Sequence, residues 1–598
     1  MATRSDFILS CTVDFPDDVS HGSYTLKLLD EMMVQIKSMG VSRIYWLYYG
    51  DINQNSYWAG NLFQHRLMTY GPQTIDRIGE PLKAAVPIAH KYGMEIYGVL
   101  KPYNTGASGS YPEGSALANA TSLKRIGGTL WQAIPFIQSH PEVRLKRRPV
   151  EIPDTLNSTT IKKIRLVKSD SSPTRITRNH LQIWTSQENW KYTHKDNLNF
   201  TIKDAVEPAP SEICDYYGNL ITAKAAPVRT LTIEGLDLRD KYILVTTDFN
   251  DGNGDFSNTG IGMIEAFGDD SSPLPIEVAT LSTVWNGPRD FRTGGLEFDS
   301  GFGTLAVTLD NNNQKQEGID EWESHQRGGV IAFALGKNDY LPSTPCEIYP
   351  GVRKLWAGWV DRILDTGVDG IDIRISHHGS IVDEPLAYGF NEPILAEFSQ
   401  RFGAEPSHSY EDIRRLATIR GDHYTNFFRE TSRKTRERGK KMQFHLHTEA
   451  FHSKPVHGQV IGFPPNIFFD WKLWIDEGLV DGITFRTSWF EGWEDPPQGE
   501  PNRQQLSRSL GDPVAREALK YANQAEVPVY LNRYISRAVG NDEYVADLNK
   551  VYRDPRFSGF DIYEWASLAH SNPDGTLLEP ILDGIQKIRS QTHKLGFT

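Results

Sequence analysis

Gly367-Val368-Asp369-Gly370-Ile371-Asp372-Ile373-Arg374-Ile375-Ser376-His377-His378-Gly379 alternates apolar and ionisable side chains. Successive side chains of a strand point to opposite faces, so Ile371, Ile373 and Ile375 share one face and Asp372, Arg374 and Ser376 the other. Two histidines, His377 and His378, follow at its C-terminal end. A strand covered on both faces in an ordinary core would be apolar throughout. One apolar and one ionisable face fits a strand of a closed parallel barrel that delivers polar groups to the barrel mouth.

Working outward, strand and helix signals alternate on both sides of this stretch. Phe7 to Phe15 reads as a strand with Ser10, Thr12 and Asp14 on its polar face. A helical pattern from Tyr24 to Met39 ends at Gly40, a strand spans Arg43 to Asp51, and a second helix spans Ile75 to Tyr92. Glu95 to Tyr103 makes the third strand, with Lys101 on its polar parity. After a long gap, Gly329 to Gly336 is strand-like, and a helix over Val352 to Thr366 leads into the opening stretch. Later strands are expected at Lys441 to Glu449, Asp481 to Ser488, Pro528 to Tyr534 and Phe560 to Trp565, with helices between them. Three strands before the gap and five after it make the eight of a (β/α)8 TIM barrel, an α/β fold. Residues 123–326 differ in texture. Short β-type runs such as Ile161 to Leu166, Leu181 to Thr185, Leu198 to Ile202, Leu231 to Glu234, Tyr242 to Thr246 and Ile276 to Leu281 are separated by turn residues, which predicts an all-β sandwich. The expected organisation is a barrel segment over 1–122, the inserted sandwich over 123–326 between strands three and four, and a second barrel segment over 327–598.

The 598 residues exceed what one simple core holds, consistent with such an insertion. The net charge of −13 argues against a sequence-independent nucleic-acid binder, which needs a positive surface, and leaves room for a local basic pocket. No apolar run approaches the ~20 residues of a membrane span. No secretory signal is visible at the N-terminus, so a cytoplasmic protein is expected, or a secreted or periplasmic one whose leader has been removed. Three widely separated cysteines, Cys11, Cys214 and Cys346, argue against a disulfide framework or a cysteine zinc site.

Parity assigns the inward faces. On the fifth strand Gln443, His445, His447 and Glu449 face in; on the sixth, Thr484, Arg486 and Ser488; on the seventh, Tyr530, Asn532 and Tyr534; on the eighth, Asp561, Tyr563 and Trp565. Glu564 then points outward unless the strand has already ended. Glycosidic cleavage uses two carboxyl groups flanking the bond. Asp372 fits the nucleophile or base and Glu449 the general acid. Adjacent strands lie ~4.8 Å apart, compatible with the ~5–5.5 Å carboxyl separation of retaining enzymes. Glu491, Glu392 and Glu564 are reserve carboxylates. Arg374, His377, His378, His445, His447, Arg486, Lys101 and Asn532 would position substrate. Trp489, Trp493 and Trp565, with Tyr48, Tyr49 and Tyr103, offer aromatic faces suited to sugar rings. Lys101, Arg374, Arg486 and Arg533 suggest a uronate, sulfate or phosphate on the substrate. Any one of these residues could instead belong to a satisfied ion-pair network of Asp372, Arg374 and the histidines with no chemistry.

No cofactor is required by this reading. His445 and His447 on one strand face also have metal-ligand spacing, which keeps a metal-dependent hydrolase or isomerase open. A non-catalytic carbohydrate-binding barrel is the third alternative. In the insert, Asp248, Asn250, Asp251 and Asp255 form an oxygen-rich, glycine-rich run that could hold a structural calcium, or simply form hairpin turns. Sugar identity, linkage and oligomeric state are not readable.

The opening strand also resembles strands of glycoside-hydrolase barrels. Asp369-Gly370-Ile371-Asp372 is similar to the start of the chitinase-type Asp-Gly-x-Asp-x-Asp-x-Glu strand, with Arg374 and Ser376 in place of its later members. Gly370-Ile371-Asp372-Ile373-Arg374 followed by His378 resembles the amylase-type strand Gly-x-Arg-x-Asp with its histidine, but with Arg and Asp exchanged. In that comparison Glu449 stands at the amylase-type acid, and the strand-seven His-Asp pair has no counterpart in Tyr530 to Tyr534. Tyr349-Pro350-Gly351-Val352-Arg353 and the Gly-Val-Asp-Gly start most resemble the loosely defined family-10-like glycosylhydrolase group. That resemblance implies a TIM-barrel fold and carbohydrate hydrolysis. In the insert, Leu181 to Ser186 through Trp190, and Leu231 to Tyr242, look like galactose-binding-type sandwiches.

Overall fold

The computed structural model describes residues 4, 6–19, 22–48, 67–103, 105–110, 129–149, 159–187, 193–214, 220–240, 242–247, 261–274, 277–280, 330–334, 339–375, 385–447, 464–487, 510–534, 541–569, 571–572, 575–576 and 583–597. Eight parallel strands close into a barrel: β1 (Ile8–Val13), β2 (Arg43–Tyr48), β3 (Glu95–Leu100), β4 (Gly370–Arg374), β5 (Lys441–His447), β6 (Ile483–Thr487), β7 (Val529–Tyr534) and β8 (Gly559–Tyr563). The opening stretch is therefore the fourth strand, as its flanking pattern requires. Its Asp372 lies level with Val99 of β3 and Gln443 of β5, and Ser10 of β1 pairs with Asp561 of β8 to close the ring. Asp369, just before β4, accepts the Ile96 backbone N–H at 2.9 Å and so fixes the entry of the strand.

Outward-facing residues such as Leu9, Ile371, Ile373, Phe444 and Ile562 are buried against the surrounding helices. α1 (Leu26–Ser38) starts where the Thr25 hydroxyl accepts the Leu28 N–H. The single helix expected over Ile75 to Tyr92 is two helices, α2 (Leu67–Ile78) and α3 (Pro81–Lys91). Gly79 at φ +77° ends the first, while the Glu80 side chain and Pro81 start the second, each a standard helix-boundary device. α4 (Pro350–Asp365), α5 (Glu392–Phe402), α6 (Tyr410–Glu437), α7 (Trp471–Asp476), α8 (Pro513–Gln524), α9 (Asn541–Arg553) and α10 (Gly584–Lys594) complete the ring. Among the described residues no helix is long and apolar enough to cross a membrane.

Between β3 and β4 the described residues form two larger antiparallel sheets, beside three two-stranded ones: Gly106–Ser110 with Thr129–Ala133, Arg144–Lys146 with Tyr340–Pro345, and Ile213–Cys214 with Leu220–Thr222. One of the larger sheets has the order Thr201–Pro208, Pro227–Leu238, Ile161–Lys168, Ile261–Phe267; the other Glu277–Thr280, Val330–Ala334, Tyr242–Thr247, Leu181–Ser186, Thr193–His194. Ile164, Leu166, Leu231 and Ile233 from the first share one apolar cluster with Ile183, Ile243 and Val245 from the second. Val330–Ala334 pairs with Tyr242–Thr247, so this strand belongs with the inserted sheets although it follows residue 326.

The N-terminal end of the barrel is plugged. The Arg43 guanidinium lies over the rings of Tyr97 (4.4 Å) and Tyr530 (5.2 Å) and bonds Glu95 at 2.7 Å. Glycines on the neighbouring strands make room for those rings. A Cβ on Gly370 would fall 2.5 Å from the Tyr97 ring and 2.8 Å from the Lys441 carbonyl oxygen. The ionisable inward groups lie at the other, C-terminal end of the barrel, where barrel enzymes place their sites. Beside the barrel, Arg420 of α6 makes a fully buried two-point ion pair with Glu347 at 2.6 and 2.9 Å, and Tyr103 donates to the same carboxylate at 2.6 Å.

Two stability predictions follow from these contacts. Gly370→Ala forces the clash with Tyr97, and should lower stability by about 1–3 kcal/mol, seen as a reduced urea midpoint with unchanged slope. Glu347→Ala strands the Arg420 charge in an apolar setting and should cost about 3–5 kcal/mol in the same assay.

Candidate functional site

The inward positions of the upper barrel carry the ionisable groups. Asp372 is fully buried, and its Oδ2 lies 3.4 Å from His445 Nδ1. Burial pushes the Asp372 carboxyl up to about 7, against the pull of Arg374, Gln443 and Arg43. Burial and the charges of Arg374 and Lys101 hold His445 well below the ordinary imidazole range, so the imidazole is neutral. The contact is thus between a carboxyl and a neutral ring. Asp561, one strand away from β1, is tied down from three sides: Thr12 donates at 2.8 Å, Ser10 at 3.1 Å, and the Asn532 amide also donates. Its carboxyl still rises to about 6, through burial and the nearby charge of Asp372.

One layer higher, Arg374 and Arg486 both place their guanidiniums over the Tyr563 ring, at 4.5 and 4.4 Å. His447 lies level with Arg486 and is buried. Asp14, the residue after β1, accepts an ion-pair contact from Lys101, the residue after β3, at 3.5 Å. Glu564, the residue after β8, is 6% exposed, and its Oε2 has no hydrogen-bond partner among the described residues. Burial and the Asp14 charge push it up to about 8, while Arg374 and Lys101 pull the other way. Asp18, in the helical turn Phe15–Asp18, is buried beside them, and burial with the charges of Glu564 and Asp14 raises its carboxyl well above the ordinary range.

The structure thus brings together Asp372, Arg374, His445, His447, Arg486, Lys101, Asn532 and Glu564 from the sequence expectation. It corrects the placement of Glu564. Strand β8 ends at Tyr563, so outward parity no longer governs the next residue, and Glu564 lies inside the mouth. Glu392 is not part of the site: it opens α5 and pairs with Lys146. The aromatic expectation changes as well. Trp565 and Tyr48 are buried in the apolar cluster outside the ring, and Tyr103 packs on Trp356 and Tyr424. Asp14 belongs to the site although it carried no role in the sequence reading. The continuing Ser10, Thr12, Asp14 parity was its signal, whereas Asp18 has none. Glu449, His377, His378, Trp489, Glu491 and the run Asp248, Asn250, Asp251, Asp255 lie outside the described residues. Among the described residues no group of three or more His, Cys, Asp or Glu side chains is arranged to hold a metal.

No protein-family model matches the sequence. No curated protein matches it either. Among solved structures, the catalytic domain of β-amylase from Paenibacillus polymyxa superposes over 99% of both chains at 8% identity and TM-score 0.37. The GH20 exo-β-N-acetylglucosaminidase from Vibrio harveyi covers 94% of this chain and 50% of its own at 9% identity and TM-score 0.32. Trehalose-6-phosphate hydrolase from Bacillus licheniformis covers 94% and 65% at 11% identity and TM-score 0.33. The barrel itself is established by the strand pairing above, and these distant likenesses add no argument to it.

The raised Asp372 carboxyl has a consequence for stability. Its folded value of about 7 lies above the 3.8 of the free group, so the folded state holds the proton more tightly than the unfolded chain. That stabilisation is complete below about pH 4 and is lost as the pH rises through 7. Asp372→Asn should flatten the fall in unfolding free energy between pH 5 and 8, read by urea denaturation at each pH. A slope equal to the wild type's contradicts the assignment.

Proposed function

We propose that this chain is a glycoside hydrolase that cleaves a glycosidic bond at the C-terminal mouth of the barrel by carboxyl acid/base chemistry. The observation that carries the reading is the set of buried carboxyl groups gathered at the inward face of the upper barrel, with lysine and arginine side chains beside them. Asp372 and Glu564 are driven toward neutrality, whereas Asp14 is ion-paired to Lys101. Glycosidic cleavage uses two carboxyl groups, one as acid and one as base or nucleophile. Asp372 is proposed as the nucleophile or base. The sequence offers Glu449 as its acid, two residues beyond the end of β5.

The proposed substrate is an oligo- or polysaccharide bearing an anionic group, a uronate or a sulfate. Arg374 and Arg486 support this, being buried together at the Tyr563 ring in the mouth. The inserted sheets are proposed to form a β-sandwich that contributes carbohydrate binding; their shared apolar cluster supports the sandwich geometry.

The reading is tested by incubating the protein with neutral and uronate- or sulfate-bearing glycans and measuring new reducing ends. Wild type should release them, preferentially from the anionic set. Asp372→Asn should lower kcat by about 10²–10⁴-fold. Glycan binding without reducing ends would make the barrel a binding protein, and activity lost on chelation would favour a metal-dependent hydrolase on His445 and His447.

A further inference from the structure

We propose that Glu564 is the proton donor of this site, in place of Glu449, and that the Asp14–Lys101 ion pair is the device that keeps it ready to donate. The inference rests on the glycoside-hydrolase reading above. β1 and β8 are neighbours in register, Ser10 with Asp561 and Cys11 with Ile562. Asp14 and Glu564 each follow the last residue of their strand, so they leave adjacent strands side by side at the mouth. Lys101 reaches Asp14 from the end of β3. All three side chains are at least nine-tenths buried, and one oxygen of Glu564 has no hydrogen-bond partner among the described residues.

This arrangement sets the protonation order. Lys101 Nζ lies 3.5 Å from Asp14 Oδ2. A second negative charge on Glu564 would then sit beside Asp14 with little water to screen it, so Glu564 keeps its proton. Its carboxyl rises to about 8, which agrees with that order. The charged and titratable described groups that act on it are Asp14, Asp18 and Cys11 on its β1 side, which raise it or are raised by it, and Arg374, Lys101 and the Tyr563 hydrogen bond, which temper it. Arg374 and Lys101 then stabilise the carboxylate that forms once the proton has left.

In the step itself, the bond between the anomeric carbon and the glycosidic oxygen breaks and its electron pair stays on that oxygen. The oxygen takes the Glu564 proton and departs as an alcohol. Water supplies hydroxyl to the anomeric carbon and yields its other proton to the base, Asp372 in the reading above. Proton exchange with solvent returns both carboxyl groups to their starting states, so one glycoside and one water give two hydroxyl products.

The test compares wild type, Glu564→Gln, Glu449→Gln and Asp14→Asn on two aryl glycosides of the sugar that wild type hydrolyses. One has a phenyl leaving group, which needs protonation; the other has a 2,4-dinitrophenyl group, which does not. Glu564→Gln should lose about 10²–10⁴-fold on the phenyl glycoside and far less on the dinitrophenyl one. Asp14→Asn should move the basic limb of the kcat/KM pH profile to lower pH, because the charge that raises Glu564 is gone. Glu564→Asp, which keeps an acid one methylene shorter, should retain the basic limb at reduced rate and so separates lost chemistry from lost folding. The proposal is overturned if Glu449→Gln shows the leaving-group pattern and Glu564→Gln does not, or if Asp14→Asn leaves the basic limb in place. A wild type that hydrolyses no glycoside of any panel sinks the functional reading itself. Hydrolysis by wild type with the wrong variant pattern sinks only the Glu564 assignment.

Discussion

Closure of the eight-stranded ring is the constraint on which everything else depends. It sends every second side chain of each strand into one narrow, dry volume, where an unmatched charge costs several kcal/mol. In the lower barrel the problem is met by stacking Arg43 on Tyr97 and Tyr530, with Gly370 and Gly559 leaving space for the rings. In the upper barrel it is met by pairing cations, carboxyls and ring faces. A Cβ at either glycine would leave no room for the plug.

Burial then decides protonation, and three carboxyl groups in one barrel show how. Asp561 accepts from Thr12, Ser10 and Asn532, so its charge is compensated and it reads as part of the frame. Asp372 faces the neutral His445 imidazole at 3.4 Å and rises to about 7, burial outweighing the pull of Arg374, Gln443 and Arg43. Glu564 rises to about 8, through burial first and then through the charge of Asp14 beside it. The difference lies in the number of donors and the sign of the neighbours, since all three are buried. The same logic gives Arg374 two tasks. It lowers the cost of ionising both Asp372 and Glu564, and it shares the Tyr563 ring with Arg486.

Much of this was legible in the sequence. Period-two alternation in Ile371 to Ile375 and in Gln443 to His447 marks inward faces, and the count of eight strands follows from where such runs recur. The inward positions of Asp372, Arg374, His445, His447, Arg486 and Asn532 needed only parity. Parity fails where a strand stops: Glu564 lies one residue past β8, so its direction is set by the turn after the strand. Asp18 sits in a helical turn with no strand pattern to place it. Gly79 splits a helix because its positive φ outweighs the apolar periodicity that runs across it. Tyr103 and Trp565 near strand ends looked suited to sugar faces, yet packing against helices outside the ring buries them, and that depends on neighbours far away in sequence such as Trp356 and Tyr424. Glu449, paired with Asp372 by the sequence, stands beyond the described part of β5.

The central claim is that the barrel mouth keeps the Glu564 carboxylic acid protonated at neutral pH beside the Asp14–Lys101 contact. Carbon-13 NMR of protein labelled at the glutamate side-chain carboxyl, with Glu564→Gln used to assign the resonance, measures this directly. The account predicts one glutamate resonance with a titration midpoint at about 8, absent from the variant. A Glu564 resonance that titrates at about 4–5, with the ordinary glutamates, would contradict it.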